Sequence, residues 1–446
     1  MIALRLFAGC VAILLPLHGE VHRLALADCD DAAFGPNGDL YLACHSPEDR
    51  LPIEVRYRKP VPDVMDGYVL RLNAQTGKLI YAVRLSGSSH DAALRVKVDQ
   101  SGFAYATGIT KSDDFPVTPD AMKAKLGGDS DGFLVKFAPD GQIVYSTLIG
   151  GSGADYGNGL DLDGKGYVYV GGVNSADCFV CRIGTKNTCR VFGGGAEEKL
   201  TGIALDGKGG IYATGYTKSR DFPVKSPVQS ALSGPGDMFL TRLTLPALEI
   251  SFSTFFGGNG DDSGWGVAVD HDGNPVVAGI TDSTDLPATG MGYRKTSGGK
   301  KDAFLVALRG RKFRATYFGG SSNDEAGYDG GNIQVDQRGN VWVVGITKSD
   351  DLPVRNAIQP QFGGGDGDGF IAAFAPDLGS LCFSSYYGGP ERNLLEGLAI
   401  SATGMVAATG VSFAASASPL HITLAGGEIH AGSYWLIVNG QCGGQR

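Results

Sequence analysis

Acidic residues recur at one fixed place in this chain. Asp155, Glu198, Asp262 and Asp324 each stand four positions past the second glycine of a G-G pair, and Asp91 does so after Ser86–Gly87; Asn393 takes the last such position. Hard cations such as calcium bind oxygens of this kind, so the five acids are candidate metal ligands. The commoner use of a carboxylate at a chain junction is to accept backbone N–H groups. A second set, Asp66, Asp131, Asp177, Asp237, Asp302 and Asp368, precedes a short apolar run and takes the same structural reading. Four histidines, His45, His90, His421 and His430, fall in segments expected to share one face. Gathered imidazoles bind transition metals or exchange protons near neutrality, although loop histidines more often face solvent. The chain has no nucleophile elbow, no phosphate-binding glycine loop and no H-E-x-x-H. "DLDGKG" (161–166) imitates the start of a calcium loop without its downstream glutamate. Its equivalents at Asp99–Gly102, Asp206–Gly209 and Asp270–Gly273 mark it as turn chemistry.

The elements that must hold these residues are themselves repeated. Ala43, Gly108, Gly172, Gly215, Gly279, Gly345 and Gly410 occupy equivalent positions, evenly spaced except for the short interval after Gly172. Four of them open the same polar loop: "GITKSDDFPV" (108–117), "GYTKSRDFPV" (215–224), "GITDSTDLPA" (279–288) and "GITKSDDLPV" (345–354). Each full unit then reads as four strands. A small-residue strand such as "GVAVD" (266–270) is followed by one such as "NVWVVGIT" (340–347), then by one such as "AFLVAL" (303–308). The fourth ends in an aromatic or aliphatic pair and two glycines, as in "TFFGG" (254–258). Four antiparallel strands in seven units predict an all-β, seven-bladed β-propeller. Its units run approximately 28–90, 91–154, 155–197 (shortened), 198–261, 262–324, 325–391 and 392–446, numbered 1 to 7 below. A solenoid would need polar end caps, but the apolar pattern persists to "SYWLIV" (433–438). Gly and Ala on the first strands (Gly202, Ala204, Gly266, Ala268, Gly397, Ala399) suit strands crowded around an axis. Arg95, Lys97 and Asp161 break that pattern and predict an axial ion pair. The last unit lacks a fourth strand, which "EVHRLALA" (20–27) is placed to supply.

The run "YSTLIGGSGADYGNGLDLDGKGYVYVGG" (145–172), the D-F-P loop and the D-x-F strand together resemble the bacterial seven-bladed β-propeller, or SBBP, repeat. The likeness spans about 30–440 and is weakest in the first and last units. It implies architecture and a secreted or cell-surface location, and it brings no catalytic residues with it. The short third unit, its cysteine insertion and the basic first loop depart from the family pattern.

Composition agrees with this reading. Glycine accounts for 69 of 446 residues without a collagen period, charged residues for only 19%, and Tyr and Phe for 17 and 21. "MIALR" followed by the apolar "LFAGCVAILLPL" (6–17) reads as a secretory leader with "ALA" (25–27) before the cut, giving a signal of 1–27 and one propeller domain of 28–446. A cut there would remove the strand offered by 20–27, and the sequence leaves both readings open. Cys10 lies ahead of most of the apolar run, the wrong side for lipidation. No stretch is long enough to span a membrane as a helix. The net charge of −9 argues against nucleic acid as a partner. In an exported chain the cysteines read as disulfides, with Cys29, Cys44, Cys181 and Cys189 the candidates. Zinc at Cys178, Cys181 and Cys189 would lack a fourth ligand.

Two functions follow as expectations. The first is a monomeric, secreted, periplasmic or cell-surface binding scaffold that takes a protein or carbohydrate ligand on its loop-rich face. Its individual loops are 45–65 (with Arg50, Arg56, Arg58 and Lys59) and 412–432. The second is a metal-assisted hydrolase or lyase at the channel mouth, using a divalent cation such as calcium on the acidic ring, or the histidines.

Overall fold

The computed structural model describes residues 20–24, 28–46, 64–327, 331–412 and 433–438. The leader before Glu20, the arginines of the first loop, His421 and His430 lie outside them.

Strand chemistry and turn chemistry alternate as the sequence requires. In unit 2, Asp91–Val98, Ala104–Thr110, Asp131–Phe137 and Ile143–Ile149 pair in order, antiparallel throughout. Between the first two strands Asp99 Oδ1 accepts the N–H groups of Ser101 (2.8 Å) and Phe103 (3.0 Å), and Gly102 supplies a φ of 81°. The calcium-like run is the same device: Asp163 accepts from the N–H of Lys165 at 2.7 Å and of Tyr167 at 3.1 Å.

Among the described residues six such sheets have four strands, and a further one has five. The expected four-stranded antiparallel blades are found; the five-stranded sheet is that of unit 6, whose inner strand is split into Asp324–Glu325 and Ile333–Val335, both paired with Val341–Thr347. Unit 3 keeps four strands and lacks only the long loop. In unit 7, Glu20–Leu24 pairs with Ser433–Val438 as the outermost strand, so chain start and chain end share one sheet. A cut after Ala27 would remove that strand.

Successive inner strands touch one another, and those of units 1 and 7 also touch, closing a ring. The core is therefore divided rather than central. One apolar cluster lies between each pair of adjacent sheets, for example Val135, Phe133 and Val83 between units 1 and 2. Burying the two faces of every sheet leaves the strand-connecting loops as the chief surface for function.

A β-bulge recurs in the inner strands, for example between Gly157 and Gly159, Leu200 and Gly202, and Gly264 and Gly266. The extra residue turns its side chain toward the next sheet. Asn158 Nδ2 donates to the Leu200 carbonyl (3.0 Å) and Thr201 Oγ1 to that of Gly264 (2.8 Å).

Candidate functional site

The repeated loop motif explains itself once the junctions between units are built. In unit 5, Gly258 N–H donates to Asp262 at 2.7 Å, Asn259 N–H to Asp285 at 2.7 Å, and Gly260 N–H to Ser283 Oγ at 2.7 Å. Ser283 Oγ in turn donates to Asp262 at 2.8 Å, as does Thr281 Oγ1. Ser and Asp of T-x-S-x-D thus hold the N–H groups of Gly260 and Asn259, Thr and Ser hold the Asp262 carboxylate, and Asp262 holds the Gly258 N–H, while Leu286, the residue after the motif, is buried. Units 2 and 6 repeat this with Asp91, Ser112 and Asp114, and with Asp324, Ser349 and Asp351. Glu198 takes the same place with Thr217 and Ser219. In the shortened unit Asp155 accepts from Gly151 N–H and, at 2.8 Å, from Ser175 N–H. The clasp converts polar loop residues into a frame in which most donors and acceptors are paired.

The five acids are therefore at the junctions, each at most 2% exposed. Burial pushes the carboxyls of Asp91, Asp262 and Asp324 up to about 6 against the donors that surround them. Among the described residues no group of three or more His, Cys, Asp or Glu stands where it could hold a metal ion.

The acids that open the third strands face the first set across a glycine. An added Cβ at Gly257 would stand 2.6 Å from Asp237 and 2.7 Å from Asp262, so the position tolerates only glycine. In unit 2 the long loop returns to this spot, and Lys123 Nζ binds Asp131 Oδ1 at 2.9 Å and the Gly150 carbonyl at 2.9 Å. Asp66 instead pairs with buried Arg84.

Of the four histidines, His45 and His90 are among the described residues, and each has partners of its own. His90 Nδ1 accepts the Met65 N–H at 3.1 Å. His45 stands where other units have the clasp threonine, with Nδ1 2.9 Å from Asp30 and Nε2 3.9 Å from Asp28. Against burial, which favours the neutral ring, the charges of Asp30, Asp28 and Glu396 hold it up at about 9. Such an imidazolium is an ion-pair partner, already protonated at neutral pH.

On the axis, Asp31 accepts from Val96 N–H (3.0 Å) and Asp161 from Leu205 N–H (2.7 Å), each tying one inner strand to the next. Burial raises both carboxyls, and Lys97 opposes that rise in both. Arg95 departs from the expected ion pair: its Nε donates to the Asn158 carbonyl at 2.7 Å.

Disulfides join Cys29 to Cys44 and Cys181 to Cys189, each between directly opposed residues of neighbouring strands. The zinc reading fails because Cys181 and Cys189 are oxidised to one another. Cys178 is a buried thiol, pushed well up by burial and by the charges of Glu198 and Asp177.

Sequence reasoning missed the bulges and the lysine plug. Asn158 and Thr201 show no signal beyond being polar in a small-residue strand.

Residues 144–173 match the SBBP beta-propeller repeat. No curated protein matches the chain. Among solved structures it is similar to a catalytically inactive virginiamycin B lyase from Staphylococcus aureus with quinupristin, at 8% identity over 94% of this chain and 99% of that one, TM-score 0.49. It is similar also to the Neurospora crassa Pan2 WD40 domain (9%, 92% and 89%, TM-score 0.47) and to a protein of unknown function from Dyadobacter fermentans (12%, 96% and 100%, TM-score 0.42). Likeness at this level carries no argument about activity.

Proposed function

We propose that this chain, a β-propeller carrying an SBBP repeat, is an exported seven-bladed scaffold that binds a protein or carbohydrate through its loop-rich face. The observation that carries this reading is the clasp. The recurrent acids and hydroxyls of that face are committed to backbone N–H groups and to one another, as at Asp262, Ser283 and Asp285. Residues engaged in holding the frame are poor candidates for reacting groups. Recognition then belongs to segments that do not repeat, 45–65 and 412–432.

Seven blades follow from counting the five-stranded sheet as one blade with a broken inner strand. Two cross-strand disulfides accord with an oxidising compartment, secreted, periplasmic or cell surface. The pairing of Glu20–Leu24 supports a leader that ends before Glu20 rather than after Ala27.

The test is metal content and thermal unfolding of the purified chain with and without chelator. The scaffold reading expects no stoichiometric cation and an unchanged midpoint. A bound cation whose removal lowers the midpoint would transfer the function to a metal-assisted hydrolase or lyase.

A further inference from the structure

In four units the long loop does a second task after the clasp. It runs back along the outer strand and covers its open edge. In unit 2, Leu148 N–H donates to the Lys123 carbonyl at 3.0 Å, while the Lys123 ammonium plugs the acid at the head of the third strand. One residue thus covers the edge and neutralises the carboxylate. Gln229 makes the corresponding contacts in unit 4, its carbonyl taking Phe255 N–H at 3.2 Å and its uncharged amide Nε2 donating to Asp237 at 2.6 Å. Arg294 and Gln359 accept the corresponding N–H groups of Tyr317 and Tyr386, each at 3.1 Å.

Unit 3 has no such loop. Ser175 and Ala176 alone join its second and third strands. Among the described residues nothing pairs with the outer edge of its last strand, Thr188–Phe192, on which Cys189, Arg190 and Val191 are exposed. By register, Val191 stands where Leu148, Phe255, Tyr317 and Tyr386 stand. The acid pair is present as well. An added Cβ at Gly193 would meet Asp177 and Glu198, just as one at Gly150 would meet Asp131 and Asp155. Asp177 is half-buried, and the structure shows no cation or amide on its carboxylate among the described residues. Alongside, a cleft of about 390 Å³ is lined by Arg190, Pro223, Val224, Lys225, Glu249 and Ile250.

We propose that the outer edge of unit 3 docks an extended peptide from a partner protein, anchored by a lysine or arginine. The anchor's carbonyl takes the Val191 N–H, and its cation enters between Asp177 and Glu198. This is strand addition at a sheet edge, with a charged pocket for specificity. The sister units show how the groove is filled when the chain supplies the peptide itself. Arg190 replaces the Thr147, Thr254, Thr316 and Ser385 of those units. Two copies meeting edge to edge would bring like charges together, which favours a foreign peptide over self-pairing. The Cys181–Cys189 disulfide pins the uncovered strand to its neighbour. The groove lies on the side of the ring and is independent of the loop-face reading.

The probe is a fluorescein-labelled peptide copying residues 115–127, FPVTPDAMKAKLG, titrated against the purified full chain by fluorescence anisotropy. Saturable binding is expected, weakened at least about tenfold by Asp177→Asn or by methionine at the peptide's Lys123 position, with no further loss when both are combined. Bound peptide also slows amide exchange at Cys189 and Val191. An unchanged unfolding midpoint for Asp177→Asn shows that a weakened affinity is not a folding defect. Absence of saturable binding up to about 1 mM, binding indifferent to both changes, or unprotected Cys189 and Val191 amides would overturn the proposal.

Discussion

Removing the hydroxyl of Ser283 tests whether the clasp is a charge-bearing frame. Ser283→Ala takes one of three donors from Asp262 and leaves Gly260 N–H without its acceptor. Gly260 lies near the surface, so water replaces that partner at little cost. The main effect falls on the carboxylate. A hydrogen bond to a charged group contributes about 1.5–3 kcal/mol, and one between neutral groups about 0.5–1.5. Asp262 titrates at about 6, so it is neutral at pH 5 and charged at pH 8. The substitution should therefore cost about 1 kcal/mol at pH 5 and about 2–3 kcal/mol at pH 8. The sign follows from linkage. The folded carboxyl already titrates above its unfolded value, and loss of a donor raises it further. The stability it contributes is complete below the unfolded value and disappears as pH rises through the folded one. Urea unfolding followed by tryptophan fluorescence at the two pH values measures this, with Trp265 in the same sheet. Ser112→Ala and Ser349→Ala are internal replicates, because both hydroxyls donate to their acids at the same 2.8 Å. Equal losses at pH 5 and pH 8, or no loss in any of the three, would refute the reasoning.

The unmodified protein should itself lose stability as pH rises from about 4 to about 7. Asp91, Asp262 and Asp324 are lifted to about 6, each worth on the order of 3 kcal/mol at most, and Asp368 to about 7, worth on the order of 4 kcal/mol at most. His45, raised to about 9, adds a loss through that higher range. A midpoint that climbs steadily from pH 4 to pH 8 would contradict both. N-terminal sequencing of the mature protein should place the first residue at or before Glu20, and a chain begun at Asp28 should unfold at a lower temperature because Ser433–Val438 loses its partner. A mature N-terminus at Asp28 would show that the outer strand of unit 7 is dispensable.

What is local and repeated could be read from the residues alone. The strand order within a unit, the D-x-x-G turns and the D-F-P loops follow from apolar alternation and from the backbone bonding of Asp, Ser and Gly. These act between residues a few positions apart, so each copy writes them again. The disulfide candidates were legible for a similar reason, since in both bridges the partners lie on consecutive strands. The fate of the acids was legible only as a choice between ligand and structural acceptor. Their donors sit about twenty residues away, as Ser283 does from Asp262, and arrive only when two loops fold onto each other. Closure of unit 7 by Glu20–Leu24 joins segments more than 400 residues apart, so no local pattern marks it. The split inner strand of unit 6, the bulges and the uncovered edge of unit 3 likewise belong to the assembled ring. They depend on how closely the inner strands approach one another and on whether a loop returns to an edge, which packing decides.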